Sequence, residues 1–252
     1  MSKMAGLKRY ALTPVIDFAN HGGSESGEVA YNYFYDAFGA MAGRDFSPGS
    51  EVLISYGQRS NDHLLQYYGF VEKDNPHDVY ELEDVVPKAI AHLTEAGSFD
   101  SSQATILEKS GLAKGGETLT YCKKGLQFPQ SEAAMPALRL LALNESELGA
   151  DKAAKIGIED FKSQVSESNE RAAWALAAAI AEQELAQAPS TPSQDAAILS
   201  GNVGKSLDAE KQLAIAFRIE KHKTLSAGVR ALRAAAPGTG AGAAATAAPV
   251  SS

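Results

Sequence analysis

Glu51-Val-Leu-Ile-Ser-Tyr56-Gly-Gln-Arg59-Ser-Asn-Asp-His-Leu-Leu-Gln-Tyr-Tyr68-Gly-Phe70 is the most informative stretch of this 252-residue chain. Val52, Leu53 and Ile54 form a short apolar run closed by Tyr56-Gly57, which predicts a short buried strand. A polar turn follows, and then a helical segment that delivers two tyrosines and Phe70. Upstream, Pro14-Val-Ile-Asp17-Phe-Ala-Asn20-His21 is a second apolar run that ends in a polar pair.

Outward from these two runs, residues 10–83 have β character, with short apolar runs separated by Gly, Ser, Asp and Pro. Tyr31-Asn-Tyr33-Phe-Tyr35 alternates aromatics with period two, which predicts a strand with one packed face. Arg44-Asp-Phe-Ser-Pro48-Gly49 predicts a turn with antiparallel strands paired around it. From about residue 85 the period becomes helical. Leu138, Leu141 and Leu148 fall near one helical face, and Pro136 stands where a first helical turn tolerates it. Residues 167–188 predict the strongest helix, with Trp174, Ala177, Ala181 and Leu185 on one stripe and Glu167 and Arg171 at i,i+4. Pro189-Ser-Thr-Pro192 stops it, Ser193–Leu199 predicts a short helix, and Gly201-Asn-Val-Gly204 predicts a break. A last helix is expected from Leu207 to Arg233, with Leu225, Val229 and Leu232 on one face. Residues 234–252 carry neither charge nor aromatic ring, so disorder is expected there. A β-rich part followed by an all-helical part, divided between Asp78 and Val86, predicts an α+β fold.

The composition is ordinary for a globular protein, 44% apolar and 21% charged, with a net charge of −8. That charge gives no general attraction to nucleic acid or to an anionic membrane. Residues 1–83 carry 6 basic and 12 acidic side chains, whereas residues 205–233 carry 7 and 3. An acidic face suits a basic protein substrate, although charge runs are usually just solvated surface. One cysteine, Cys122, excludes an internal disulfide framework and a cysteine-built zinc site, and the five histidines show no ligand spacing. No metal is expected. No apolar run reaches the roughly 18 residues of a membrane span, and no signal peptide is visible. A soluble protein in a reducing compartment is expected.

Pro14-x-x-Asp17-x-x-Asn20-His21, then Gly49-x-Glu51-Val-x-Ile54-x-Tyr56-Gly-x-Arg59-Ser-Asn61, then Tyr68-Gly-Phe70, occur in that order. Together they resemble the C-terminal half of a SET methyltransferase domain, in the branch typified by the Rubisco large-subunit lysine methyltransferase. Leu138-Arg-Leu-Leu-Ala-Leu-Asn-Glu-Ser-Glu-Leu148, the break ending at Asp195, and Ala216-Phe-Arg-Ile-Glu-Lys221 resemble the helical substrate-binding domain of the same branch. The resemblance covers roughly residues 10–233. It implies a partial SET domain, knot-like in its C-terminal half, over residues 1–83. A helical substrate-binding domain over 84–233 and a disordered tail over 234–252 follow. The absence of a post-SET cysteine cluster agrees with this branch.

The resemblance implies S-adenosylmethionine as cofactor and a protein lysine as acceptor; the family also includes an actin histidine methyltransferase, so histidine stays open. Tyr56 maps onto the central active-site tyrosine, Asn20, His21 and Phe70 onto cofactor contacts, and Tyr68 and Arg59 onto the substrate side. The chemistry suits these residue types. Methyl transfer to an amine is an in-line displacement driven by positioning and electrostatics, and aromatic walls that exclude water favour a neutral lysine. Taken one at a time, each residue also has a plain reading. Tyr56-Gly57 reads as a strand-ending turn, Asn20-His21-Gly22-Gly23 as an Asn-capped turn, and Phe70 as core.

The family's Gly-rich cofactor segment and a later Arg/Phe segment lie upstream in its members, and Met1–Ala19, with Gly6 as its one glycine, matches neither. An N-terminally truncated form is therefore expected, from an incompletely read gene or as a short isoform, with doubtful activity on its own. Unpartnered strands and exposed apolar faces should then favour association. The alternatives are a non-catalytic protein-binding module built on the helical part, and a purely structural scaffold, which leaves the SET-like motifs unexplained.

Overall fold

The structure, a computed structural model, describes residues 12–23, 26–112, 115–144 and 158–235. Its contacts divide the chain into two compact units, Met1–Arg59 and Ser60–Ser252. The motif-based division at 83/84 follows composition. The contact-based one places residues 60–83 with the helices.

The first unit is built on three extended segments. Asp17 organises the entry: its carboxylate accepts from the Thr13 amide at 2.7 Å and the Thr13 hydroxyl at 2.5 Å, before a 3-10 turn over Ile16–Phe18. The Thr13 hydroxyl and amide hold the Asp17 carboxyl below its ordinary value. Strands β1 (Glu28–Asn32) and β2 (Ala37–Met41) form an antiparallel hairpin with Glu28 opposite Met41 and Asn32 opposite Ala37. The expected strand over Tyr31–Tyr35 is therefore corrected: Tyr31 and Asn32 end β1, and Tyr33, Phe34 and Tyr35 form its exposed turn. Asn32 is the reason, because its Oδ1 accepts from the amides of Phe34 (2.9 Å) and Tyr35 (3.3 Å), an Asx turn that competes with extension.

Ile54 is the centre of this unit. It bridges in parallel to both His21 and Gly27. The Ile54 amide donates to Asn20 O at 3.0 Å, the Gly22 amide returns to Ile54 O at 3.0 Å, and the Ser55 amide donates to Gly27 O at 2.7 Å. Antiparallel pairing around the Pro48-Gly49 turn does not form. The turn itself exists, closed by Ser50 N to Ser47 O, but β2 takes the nearer β1 through a shorter loop, which costs less closure entropy.

In the second unit, α1 (Asn61–Tyr68) starts at Ser60, whose side chain caps the His63 amide, and ends at Gly69 in the left-handed region. Strands β3 (Val79–Leu82), β4 (Leu119–Cys122) and β5 (Gly125–Leu126) make an antiparallel sheet in that order. The last two lie inside the part expected to be all-helical; at four and two residues they are too short to show a period-two pattern. Around the sheet stand α2 (Val85–Glu95), α3 (Ser101–Ser110), α4 (Met135–Leu141, with Pro136 in its first turn) and α5 (Glu167–Ala186). Then come α6 (Pro192–Ser200), α7 (Asn202–Ser206) and α8 (Ala209–Ala235). Leu148 and residues 236–252 lie outside the described residues. The expected break falls at Gly201, extended between α6 and α7, and Asn202, Val203 and Gly204 then belong to the short α7. Gly204 is required there, because a Cβ would come within 2.3 Å of Ile198 O and 2.6 Å of Leu199 O.

The core of this unit is continuous. Leu138, Leu140 and Leu141 of α4, Ala177, Ile180 and Ala181 of α5, and Leu225, Val229 and Leu232 of α8 pack with Leu82, Leu119 and Tyr121 of the sheet. The predicted stripe of α5 faces inward, with Ala177 and Ala181 fully buried and Trp174 and Leu185 at its margin. Tyr121 closes the middle, its hydroxyl donating to Ala177 O at 2.7 Å, and burial pushes its phenol far up. Gly228 lets α8 approach β4, since a Cβ there would lie 2.8 Å from Cys122 O.

Candidate active site

Three of the six predicted site residues meet in the first unit. The parallel bridge between His21 and Ile54 lays residues 20–22 beside 53–56. The Tyr56 amide then donates to His21 Nδ1 at 3.1 Å, linking positions 35 residues apart. Accepting at Nδ1 puts the proton of a neutral His21 ring on Nε2. The Tyr56 ring lies 5.1 Å from the His21 ring at a tilt of 43°. Its hydroxyl donates to Ala19 O at 3.0 Å, so the phenol proton is committed and the oxygen lone pairs are turned elsewhere. Asn20 donates through Nδ2 to Glu51 Oε1 at 2.6 Å, which ties the polar pair to the start of the Glu51–Tyr56 segment. Imidazole and phenol are part-buried, and the Asn20 amide is exposed.

Arg59 closes the first unit and is exposed. Tyr68 and Phe70 belong to the second unit. Tyr68 ends α1, 48% exposed, with its ring 6.3 Å from Phe70 and 6.1 Å from His63. Phe70 is half-buried just beyond the Gly69 cap.

Sequence reading passed over Glu51, although it opens the decisive stretch, and it could not see the Ala19 carbonyl. It also missed a buried polar network at the base of α1, centred on Asp78 and Lys221. Among the described residues no group of three or more His, Cys, Asp or Glu side chains is placed to hold a metal ion. No described helix is long and apolar enough to cross a membrane.

Elsewhere in the second unit the charged pairs tie helices together. Arg139 makes a two-pronged pair with Glu170 at 2.6 and 3.0 Å and donates to the Phe161 carbonyl, while the Trp174 indole donates to Glu170 at 2.9 Å. Burial opposes the Glu170 charge, but Arg139 and Trp174 outweigh it and hold its carboxyl below the ordinary range. Arg218 grips the buried Asp195 at 2.7 and 2.5 Å and lowers its carboxyl. Burial first, and then Glu184, push the Tyr80 phenol up to about 12. Tyr80, Glu184, Pro189, Arg218, His222 and Leu225 are among the residues that line a cavity of about 300 Å³.

Residues 98–225 match the family described as Rubisco LSMT substrate-binding. The chain is 25% identical over 234 residues to an actin-histidine N-methyltransferase of Gallus gallus, covering 89% of this chain and 36% of that protein. It is 24% identical over 230 residues to the Homo sapiens actin-histidine N-methyltransferase, covering 87% and 36%. The chain thus spans about a third of the length of these curated relatives. Among solved structures, the SET domain of LSMT bound to lysine and AdoHcy aligns with a TM-score of 0.47 at 21% identity, over 88% of this chain and 50% of that one. Rubisco LSMT bound to AdoMet aligns with a TM-score of 0.47 at 22% identity, over 88% and 49%.

Proposed function

The chain belongs to the Rubisco LSMT substrate-binding family, and on that premise we propose that it is part of an S-adenosylmethionine-dependent protein N-methyltransferase. The observation that carries the reading is the Asn20–His21–Tyr56 cluster, held together by Tyr56 N to His21 Nδ1 at 3.1 Å and Tyr56 Oη to Ala19 O at 3.0 Å. An amide, an imidazole and a phenol form a donor and acceptor set that fits a cofactor with a zwitterionic end and a sulfonium. In this reading Asn20, His21, Tyr56 and Phe70 hold the cofactor, which supplies an electrophilic methyl group when bound. Arg59 and Tyr68 serve the substrate. Residues 1–83 form the SET-derived catalytic portion, and residues 84–233 engage the protein substrate.

Tyr56 is the residue asked to do most. Its hydroxyl proton points to the Ala19 carbonyl, so its oxygen presents fixed negative charge density to an electropositive neighbour without reorganisation. The His21 ring is fixed by the backbone of the same tyrosine, so the two side chains move as one. The acceptor nitrogen has to be neutral. A histidine is neutral above its ordinary value of about 6.5, whereas a lysine at about 10.4 needs a dry aromatic surrounding to lose its proton. Histidine is the acceptor favoured by the curated relatives, which carry actin-histidine N-methyltransferase as their name. Lysine is the second reading, and it rests on the Gly49–Asn61 and Tyr68-Gly-Phe70 motifs.

Transfer of a labelled methyl group from S-adenosylmethionine to actin, and to a lysine-bearing protein, tests this across pH 5 to 10. A histidine acceptor predicts a rate that rises to a plateau just above about pH 6.5, and a lysine acceptor one still climbing towards alkaline pH. Tyr56→Phe is expected to lower transfer about 100-fold or more. Undiminished transfer in Tyr56→Phe contradicts the role given to that phenol.

A further inference from the structure

We infer that Lys221, on α8, is a positioning residue: through Asp78 and the first amide of α1 it fixes the helix that carries Tyr68 and delivers Phe70. Lys221 is nearly buried, its side chain 10% exposed, and Asp78 is fully buried. The three N–H donors of the ammonium meet the Asp62 carboxylate, Asp78 Oδ1 at 3.0 Å and Val79 O at 2.6 Å. Asp78 passes the constraint on. Its Oδ1 accepts from the Asn61 amide at 2.9 Å, the first residue of α1, and its Oδ2 accepts from the Thr224 hydroxyl at 3.2 Å.

The exit of the helix is fixed by the same residues. The Asn61 side chain, fully buried, donates to Glu72 O at 3.1 Å and accepts from Glu72 N at 2.9 Å. That exchange clamps the turn holding Gly69, Phe70 and Val71 back onto the start of α1. A second tie runs alongside, where Glu220 accepts from the Asp74 amide at 2.8 Å and Lys223 bridges Asp74 and Glu220. Start, end and exit loop of α1 are thereby referred to a single stretch of α8.

Stability alone does not account for a lysine here. Buried ion pairs recover their desolvation cost poorly, and apolar residues of similar volume are often as stable or more so. What the network adds is register, because one arrangement of α1 on α8 satisfies the ammonium, both Asp78 oxygens and the Asn61 amide together. An apolar contact tolerates sliding, and such sliding displaces Tyr68 and Phe70. The network stands on its own geometry; that the displaced rings are site residues rests on the function proposed above.

The test uses the full chain carrying ¹³C-labelled tyrosine, with Tyr121 in the core as internal reference. Three forms are compared: Lys221→Met, Asp78→Asn and the double variant. The single variants are expected to lower the melting temperature, because each leaves a buried charged or polar partner unmatched. The double variant is expected to recover most of that loss. Tyr68 ring signals are expected to shift or broaden in all three, while Tyr121 keeps its shift. Amides 61–70 should exchange roughly tenfold faster in the double variant, with 167–186 unchanged. A double variant whose Tyr68 signals and 61–70 exchange match the unmodified chain overturns the inference, as does equal acceleration of every segment. If Tyr68 moves as expected and methyl transfer stays at its unmodified rate, the positioning holds and the placement of Tyr68 in the site is lost.

Discussion

Met1–Arg59 and Ser60–Ser252 differ most in where their apolar side chains go. Among the described residues of the first unit, Ile54 is the one buried apolar side chain, while Phe18, Tyr33, Phe34 and Tyr35 are more than 80% exposed. In the second unit, leucines and alanines from α4, α5 and α8 close a single core over the β3–β4–β5 sheet. Burial of apolar area supplies most of the driving force for folding, so the second unit carries the stability of the chain. The residues proposed to hold the cofactor lie mainly in the first, where backbone bridges through Ile54 do the organising. Polar segments pinned by a few amide bonds are the part of a protein that opens most cheaply. That suits a site that must admit a ligand and is a poor basis for holding a fold.

The contrast can be broken by damaging each unit at its best-connected point. Arg139→Met should have the largest effect, because it leaves the Glu170 charge without its counter-ion, with the Trp174 indole still donating to it, where the Arg139 and Glu170 side chains are only 13% exposed. A loss on the order of 3–5 kcal/mol in thermal or denaturant unfolding is expected. The sign with pH follows from Glu170, whose carboxyl is held below its ordinary 4.5. The pair stabilises the chain above that value and loses its contribution as the pH falls through the lowered one. The gap between variant and unmodified chain should accordingly close on acidification, and a gap that does not depend on pH counts against the pair.

Ile54→Ala should have a much smaller effect on the same measurement. In a shared core such a truncation costs about 2–5 kcal/mol. Here it should shift global unfolding by less than about 1 kcal/mol, since opening the first unit leaves the second intact. A loss as large as that of Arg139→Met would mean that the two units unfold as one.

The same contrast explains what could be read from the sequence. The helix at Asn61–Tyr68 was legible because Ser60 caps it and Gly69 ends it, both within a few residues. The long helices α5 and α8 were legible through their apolar stripes. Local signals failed where a side chain or a distant strand decided. Asn32 turned Tyr33–Tyr35 into a loop through its own carboxamide, and Ile54 took parallel partners that no turn motif announces. Strands β4 and β5 are too short to carry a pattern. In the candidate site, His21 and Tyr56 stood out by motif, but the contacts of Asn20 with Glu51 and of Lys221 with Asp78 join residues 31 and 143 positions apart. Nothing local says that the two members of such a pair meet.

Hydrogen exchange on the unmodified chain, with and without S-adenosylmethionine, tests the account most directly. Without cofactor, amides in 167–186 and 209–235 should be strongly protected and those in 20–22 and 53–57 weakly. With cofactor in excess, exchange at 20–22 and 53–57 should slow while the helices stay as they were. Equal protection of both units without cofactor, or no change at Asn20, His21 and Tyr56 on adding it, would contradict the account.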